Sequence, residues 1–296
     1  MNVFSRIIDF VLFSNLFLAL SVTSLVFETD GVLHRPYSGL SYPFFLFFST
    51  LFLYCFHRIY NSGRLSASEK IPTRHLWVRN NPNLFLIILS ASATGTLICI
   101  FLFIPLRVTC SLIPIGLISL GYTIPCIPWK GKRIRLRDIP GIKILLISVV
   151  LGLTTVLLPV MTYSGPGTLL EPGVIFIFIR RVFFIFAITV PFDIRDMEFD
   201  EKQNTLTIPL MIGIKHSVIL ALIALGGFVL LALAQYFFFH NLSPGSLTAL
   251  TLSALAAAVI IRLTDKPRSD YFYSFFLEGT MMLQCLLMIA ANIFWK

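Results

Sequence analysis

Nine apolar runs, each long enough to cross a bilayer, constrain the fold of this chain more than any other feature. A transmembrane α-helix needs about 20 mostly apolar residues. Of the 296 residues, 57% are hydrophobic and only 12% are charged, which is not typical of a soluble domain of this length. The sequence therefore predicts an all-α polytopic membrane protein that forms one domain over residues 1–296. The nine predicted spans are 5–27, 42–61, 83–104, 108–124, 143–163, 173–192, 216–238, 247–263 and 273–294.

The positions of lysine and arginine predict that the N-terminus is cytoplasmic. In that orientation 18 of the 23 basic residues lie in cytoplasmic loops or at inner helix ends, as the positive-inside rule requires. The net charge of +9 then follows from topology and from attraction to anionic lipid, and it requires no nucleic acid partner. We expect membrane lipid around the chain, no protein partner, and the bacterial plasma membrane as its location. The predicted cytoplasmic loops are 62–82, 125–142, 193–215 and 264–272.

A cluster of acids follows the sixth predicted span, in the segment PFDIRDMEFD at 191–200. The cluster is unusual because the whole chain has only 14 acids. If the helix continues, Asp193, Asp196 and Asp200 share one face, where like charges repel. Mg²⁺ would relieve that repulsion, since it prefers carboxylate oxygens and often bridges them to phosphate. The alternative is a solvated acidic loop whose carboxylates pair with nearby bases.

A basic loop precedes the fifth predicted span and lies on the same predicted face of the membrane. The segment GYTIPCIPWKGKRIRLRDIPGIK at 121–143 carries six bases and one acid. Metal ions on one side and basic side chains on the other would together hold a diphosphate group. The alternative is that the loop is basic only because inner loops are, and that it binds lipid head groups.

Together these two stretches resemble the UbiA superfamily of intramembrane prenyltransferases. The family's second acidic motif, D-x-x-D-x-x-x-D followed by K-x-x-T-L-P, is similar to DIRDMEFDEKQNTLTIP at 193–209, with two extra residues before the proline. The family's tyrosine and lysine segment resembles YTIPCIPWK at 122–130. The resemblance implies a nine-helix bundle that moves a polyprenyl group, with Mg²⁺, from its diphosphate to a hydrophobic acceptor of the aromatic, quinone-precursor kind.

The resemblance also implies roles for individual residues. It implies Mg²⁺ binding by Asp193, Asp196 and Asp200, and stabilisation of the leaving diphosphate by Tyr122 and Lys130. Further substrate contacts are implied for Lys132, Arg133 and Lys202.

The resemblance fails at the inner end of the second span, where the family carries a first acidic motif, N-D-x-x-D. This chain has FLYCFHRIYNSGRLSASEK at 52–70, with no acid before Glu69. In one register Cys55 and His57 replace the asparagine and the first aspartate; in another Asn61 is kept while Ser62 and Leu65 replace both acids. His57 could bind a metal ion or phosphate there, and a protonated histidine or an arginine such as Arg58 could neutralise diphosphate in place of one metal ion. Asn61 is a further candidate for contact with the substrate.

The missing motif leaves two functions open. The chain is either an active Mg²⁺-dependent transferase or a non-catalytic homologue that binds isoprenoid diphosphate or quinone without turnover. A small transporter is a third class, but no inverted repeat supports it. Two arginines inside the sixth span, Arg180 and Arg181, are expected to extend to the outer interface, and a polar contact within the bundle is the alternative.

Overall fold

The structure, a computed structural model, describes residues 3–34, 39–62, 73–129, 131–203, 205–240 and 242–294. Within these ranges eight helices are long and apolar enough to cross a membrane, and a bent pair of helices would make a ninth span. The prediction of an all-α polytopic membrane protein is therefore confirmed. That the chain forms a single domain, and that its N-terminus is cytoplasmic, stay predictions.

Six helices precede a short β-hairpin. Their bounds are α1 Val3–Phe13, α2 Leu16–Val32, α3 Ser41–Ser62, α4 Thr73–Asn80, α5 Pro82–Leu102 and α6 Leu106–Thr123. Strands β1 Ile127–Trp129 and β2 Lys132–Ile134 pair antiparallel, with Ile127 opposite Ile134. A 3₁₀ turn at Leu136–Asp138 leads from the hairpin into the next helix.

The second part of the chain carries the remaining spans. Its helices are α7 Ile142–Gly152, α8 Leu158–Ser164, α9 Pro172–Arg195, α10 Met197–Lys202, α11 Ile208–Phe237, α12 Pro244–Arg262, α13 Asp270–Phe272 and α14 Glu278–Phe294. Two π-helical turns, Leu153–Leu157 and Tyr273–Leu277, join α7 to α8 and α13 to α14, so that each pair forms one span. Short 3₁₀ segments follow α8 at Pro166–Leu170 and α12 at Leu263–Asp265.

Three elements differ from the sequence prediction. The first span is two helices bent by 55°, because Asn15 takes a left-handed conformation (φ 68°) that asparagine tolerates better than most residues. The predicted span 216–238 begins earlier, at Ile208, with a break at Gly213 (φ 79°). The predicted loop 62–82 contains α4, which is too short and polar to show an apolar period.

Helix α9 lies in the middle of the bundle and packs against α7, α11 and α12. Helix α2 packs between α3 and α14, and α5 covers α3 from outside. Buried apolar residues of most spans form one continuous core. The least buried spans are α5 and α6, at 17% and 22% of their apolar windows, so these two present the most surface to lipid.

The favoured interpretation of Arg180 and Arg181 is wrong, and the alternative is confirmed. Both side chains are buried in the bundle, where Glu28 of α2 accepts hydrogen bonds from the two guanidinium groups. Arg180 also donates to Oε1 of Gln235 on α11 at 2.8 Å. Glu28 lies beyond the predicted first span but inside α2. Pairing with this buried carboxylate keeps both arginines in the bundle, because an unpaired charge in the membrane interior is expensive.

Candidate functional site

A cavity of about 420 Å³ lies between α3, α6 and α7, with α5 closing one side. Its volume is within the usual range for small-ligand pockets. It follows α3 from Phe45 to Asn61, which is about 24 Å at 1.5 Å per helical residue. Most of its wall is apolar, with side chains such as Leu46, Ile115 and Ile147. The cavity is therefore an apolar passage through much of the membrane thickness.

Polar side chains gather at one end of this passage, the end that the basic residues predict to be cytoplasmic. They come from the ends of α3, α6 and α9, from α4 and from the 3₁₀ turn after the hairpin. The polar residues that line this end are His57, Arg58, Asn61, Arg74, His75, Tyr122, Arg137, Arg195 and Asp196.

Two of the three predicted metal ligands, Asp193 and Asp200, lie behind the cavity wall, where they are almost fully buried. Lys143 at the start of α7 binds both: its Nζ is 2.7 Å from Oδ1 of Asp193 and 2.7 Å from Oδ2 of Asp200. The second oxygen of Asp200 accepts a hydrogen bond from Nη2 of Arg137 at 3.1 Å. This pairing offsets the repulsion that the sequence led us to expect between these acids.

The third acid, Asp196, lines the cavity and has different partners. Helix α9 ends at Arg195, so Asp196 caps it in a non-helical conformation and does not share the face of Asp193 and Asp200 as predicted. Arg74 donates to Oδ1 of Asp196 at 2.7 Å, and Arg195 donates to both of its oxygens. Burial alone would raise the pKa of Asp196, but the charges of Arg195 and Arg74 outweigh burial and hold that pKa well below its ordinary value. Asp196 is therefore an anion at neutral pH.

The inner end of α3 presents three polar side chains where the family resemblance would place acids. His57 donates Nε2 to the carbonyl of Ser119 at 3.3 Å and lies 5.5 Å from the ring of Tyr122. Arg58 donates Nη1 to the carbonyl of Phe13, at the end of α1, at 2.6 Å. Oδ1 of Asn61 is buried and has no hydrogen-bond partner among the described residues.

Three of the four basic residues predicted to contact the substrate, Lys132, Arg133 and Lys202, do not line the cavity. Lys132 and Arg133 are exposed on β2, and Lys202 is exposed at the end of α10; none of them lines the cavity. Lys130 falls outside the described residues. Their predicted contacts with substrate stay predictions.

The K-x-x-T segment connects the acidic and basic loops. Thr205 donates Oγ1 to Asp138 at 3.3 Å, and its N–H bonds the carbonyl of Asp200 at 2.9 Å. Arg135 binds Asp138 and donates to Gln203. These bonds join the 3₁₀ turn after the hairpin to the segment after α10, beside the polar end of the cavity.

Sequence reasoning missed four residues of the site. Arg74 and His75 sit on α4, a short polar helix that gave no signal. Arg137 lies in the basic loop and Arg195 between two of the acids, so their position was visible but no role followed from it. Arg137 stacks on Tyr122, with its guanidinium carbon 5.5 Å from the ring centre.

The residues present fit one Mg²⁺ ion better than a three-carboxylate metal site. No group of three or more histidines, cysteines or acids suited to a metal occurs in the part of the chain that the structure describes. Mg²⁺ often needs only one or two protein ligands, because waters and substrate phosphates supply the rest. Asp196 and Asn61 are the candidate ligands on the cavity wall: Oδ1 of Asn61 has no partner among the described residues, and an ion at Asp196 would share its oxygens with Arg74 and Arg195.

Comparison with known proteins gives a family and a fold. A family model described as the UbiA prenyltransferase family matches residues 71–286. No curated protein matches the sequence.

Several solved structures are similar over nearly the whole chain. The apo structure of a UbiA homologue from Aeropyrum pernix K1 has a TM-score of 0.64 at 16% identity, covering 92% of this chain and 96% of the other. A structure of digeranylgeranylglyceryl phosphate synthase has a TM-score of 0.57 at 16% identity, covering 98% and 99%. A UbiA homologue from Archaeoglobus fulgidus bound to DMAPP and Mg²⁺ has a TM-score of 0.55 at 13% identity, covering 97% and 99%. At these identities the similarity establishes the fold.

Proposed function

Since this chain belongs to the UbiA prenyltransferase family, we propose that it transfers a polyprenyl group from its diphosphate to a hydrophobic acceptor inside the membrane. The observation that carries this proposal is the cavity itself, which joins a long apolar passage to an arginine-rich polar end. An isoprenoid tail matches the passage, and a diphosphate matches the polar end. In addition, a solved relative of the same fold binds DMAPP and Mg²⁺.

In the proposed reaction the C1–O bond of the donor breaks, and the diphosphate leaves with the bonding electrons. The acceptor attacks the resulting allylic cation at C1, forms the new bond and loses a proton to water. The chain's own contribution is to hold the diphosphate at the polar end while the apolar walls exclude water from the cation. Tyr122 lies between His57 and Arg137, close to where the allylic C1 would enter the passage.

Mg²⁺ is part of this proposal at Asp196. When bound, the ion would neutralise charge on the departing diphosphate. Asp196 is ionised and lines the cavity, where an ion would share it with Arg74 and Arg195. Asp193 and Asp200 lie behind the cavity wall against Lys143, although Oδ2 of Asp193 has no partner among the described residues. An aromatic acceptor of the quinone-precursor kind remains our proposal, and the bacterial plasma membrane stays a prediction.

Reconstitution in lipid vesicles with labelled geranyl, farnesyl and geranylgeranyl diphosphates tests this function. Label should move into a hydrophobic product when Mg²⁺ and an aromatic or lipid acceptor are present. Asp196→Asn should lower that transfer at least about tenfold, because the removed charge is the only carboxylate on the cavity wall of the described chain.

Glu198→Gln is the matched control for this variant. Glu198 is exposed on α10, two residues from Asp196, and does not line the cavity, so its substitution should leave transfer unchanged. Full activity of Asp196→Asn would remove Asp196 from the mechanism.

One observation favours a second candidate function, binding without turnover. Helix α3 has no acid in its described length, and His57, Arg58 and Asn61 stand at its inner end. If the labelled donors bind but no acceptor receives label, with or without Mg²⁺, the chain is a binding homologue.

A further inference from the structure

The polar end of the cavity is rich in arginine. Arg58, Arg74, Arg137 and Arg195 line it, and Asp196 is the one acid among its described lining residues. A diphosphate would therefore meet an excess of positive charge before any metal ion arrives. Guanidinium groups suit this ligand because their planar fork of donors matches phosphate oxygens.

Two of the four arginines are engaged by Asp196, the carboxylate on the cavity wall. Arg74 and Arg195 both bind Asp196, and Arg74 also donates to Asp270 at 3.2 Å. Most of the hydrogen bonds that these two guanidinium groups donate go to Asp196 and Asp270. These two arginines shape the end of the cavity but have less capacity left for a ligand.

The other two arginines keep donors available. Arg58 bonds the backbone carbonyl of Phe13, and within the described ranges no carboxylate accepts a bond from it. Arg137 donates one Nη2 bond to Asp200, while its buried Nε has no partner among the described residues. Both line the cavity: Arg137 stacks on the ring of Tyr122, and Arg58 follows His57 on α3.

Asp193 and Asp200 hold this arrangement from behind. Together they bind one buried ammonium group, that of Lys143, and Asp200 fixes Arg137. Asp193, Asp200 and Lys143 do not line the cavity, so none of the three needs to touch a ligand. The acids thus neutralise a buried lysine and orient Arg137, which does reach the cavity.

We propose that Arg58 and Arg137 hold the donor's diphosphate directly, so that the donor binds without Mg²⁺, and that Asp193 and Asp200 position Arg137 and Lys143 instead of binding metal. This inference rests on the proposed function of the same cavity. At the end of α3 an arginine presents positive charge to the phosphate, where a carboxylate could do so only through a bound ion. Mg²⁺ at Asp196 would then act on the departure of the diphosphate, not on its capture.

Equilibrium binding of non-reactive donors tests the inference. The S-thiolodiphosphate analogues of geranyl, farnesyl and geranylgeranyl diphosphate are titrated into the full chain in lipid nanodiscs, with EDTA or with Mg²⁺. We expect the best analogue to bind with a Kd in EDTA within about threefold of that in Mg²⁺. Arg58→Gln and Arg137→Gln should each weaken binding about tenfold or more in both conditions, since each removes a charge-assisted contact. Arg268→Gln, an exposed arginine of a neighbouring loop, should change nothing.

Asp200→Asn separates a positioning residue from a metal ligand. If Asp200 positions Arg137, the variant weakens binding in EDTA and in Mg²⁺ alike; if it binds metal, the loss appears only with Mg²⁺. Thermal unfolding of each variant shows whether it is folded. Should Asp200→Asn not fold, Asp193→Asn gives the same comparison through Lys143, and Arg58→Gln gives a test at a half-buried position.

The outcomes are distinguishable. Binding that requires Mg²⁺ overturns this inference and leaves the proposed function intact. If none of the three analogues binds in either condition, the proposed function itself fails.

Discussion

At the residue scale, the acids of the 191–200 segment are not equivalent. Asp193 and Asp200 are buried against Lys143, whereas Asp196 lines the cavity between Arg74 and Arg195. Burying a carboxylate is costly unless a base accompanies it, and removing one partner leaves the other charge uncompensated. The two kinds of acid should therefore respond differently to substitution. Loss of Asp193 or Asp200 should displace the basic side chains of Lys143 and Arg137. Loss of Asp196 should change the charge of the cavity wall.

His75 gives the site a dependence of stability on pH. Its pKa falls to about 3, because burial and the charges of Arg74 and Arg58 disfavour the imidazolium. In the unfolded chain a histidine takes up its proton near pH 6.5, so between these values the unfolded state binds more protons than the folded state. The contribution of neutral His75 to the free energy of unfolding is therefore intact above pH 6.5 and is lost as the pH falls below that value. At pH 5.5, one unit below the pKa of histidine in the unfolded chain, the free energy of unfolding should be about 1.4 kcal/mol lower than at neutral pH.

Thermal unfolding in detergent between pH 7.5 and pH 5.5 measures this effect. His75→Gln keeps a polar side chain of similar reach but cannot titrate, so its unfolding temperature should fall less with acidification than that of the wild type. The ring of His75 also stacks on Phe199, 6.0 Å between centres, so the variant is expected to be less stable at all pH values. Equal pH slopes for the two proteins would contradict the prediction.

The sequence could identify only part of the site at this scale. Asp193, Asp196 and Asp200 stood out because acids are scarce, and Tyr122 and His57 because of the family resemblance. Arg74 and His75 could not be found, since their role arises from contact with Asp196, Asp270 and Phe199, more than a hundred residues away. The spacing of these residues along the sequence does not indicate that they are in contact.

At the scale of helices, the apolar runs predicted the number of spans well but not their breaks. The run at 5–27 is apolar on both sides of Asn15, so nothing in hydropathy marks the 55° bend there. That bend matters for the site, because it places the carbonyl of Phe13 within reach of Arg58. Glu28 was likewise not predicted as a residue of the bundle, because the predicted span ended one residue before it.

The contact between α9 and α11 depends on Gly227. A Cβ atom at this position would lie 2.9 Å from the ring of Phe183, closer than side chains normally approach. The neighbouring Gly226 is exposed, and a Cβ there would meet nothing within 4 Å. Gly226→Ala should therefore raise stability by up to about 1 kcal/mol through helix propensity. Gly227→Ala should lose that gain, and Gly227→Leu should destabilise the fold by about 1–3 kcal/mol through overpacking.

Thermal unfolding of the three variants in one detergent measures these differences. Gly226→Ala is the matched control, since it makes the same substitution one residue away on the same helix. If both alanine variants are equally stable and Gly227→Leu unfolds like the wild type, α9 and α11 do not need the close approach.

At the scale of the whole molecule, two clusters of buried arginines and acids lie apart from each other in the bundle. One is the polar end of the cavity, where α3, α4, α6 and α9 meet. The other is the pairing of Glu28 with Arg180 and Arg181, which joins α2, α9 and α11 further along the bundle. Arg180 precedes Asp193 by thirteen residues of α9, about 20 Å. The second cluster therefore cannot contact the diphosphate, and its role is to join the helices α2, α9 and α11.

The direction of the bundle in the membrane decides from which side the diphosphate enters. The basic residues predict that the polar end is cytoplasmic. Cys126, exposed in the loop between α6 and β1, lies at that end, and Gly167, exposed in the 3₁₀ segment after α8, lies one span away. A chain whose other four cysteines are alanine should therefore react through Cys126 with a membrane-impermeant maleimide in inside-out vesicles and not in right-side-out vesicles.

The opposite labelling pattern is expected for Gly167→Cys in a cysteine-free background. A side chain at this position meets no atom within 4 Å, so the substitution should not disturb the fold. Because α7 and α8 form the single span between the two positions, the two cysteines must label from opposite sides in any correct topology. If Cys126 labels only in right-side-out vesicles, the cavity mouth faces outward, and the donor diphosphate must reach it from outside the cell.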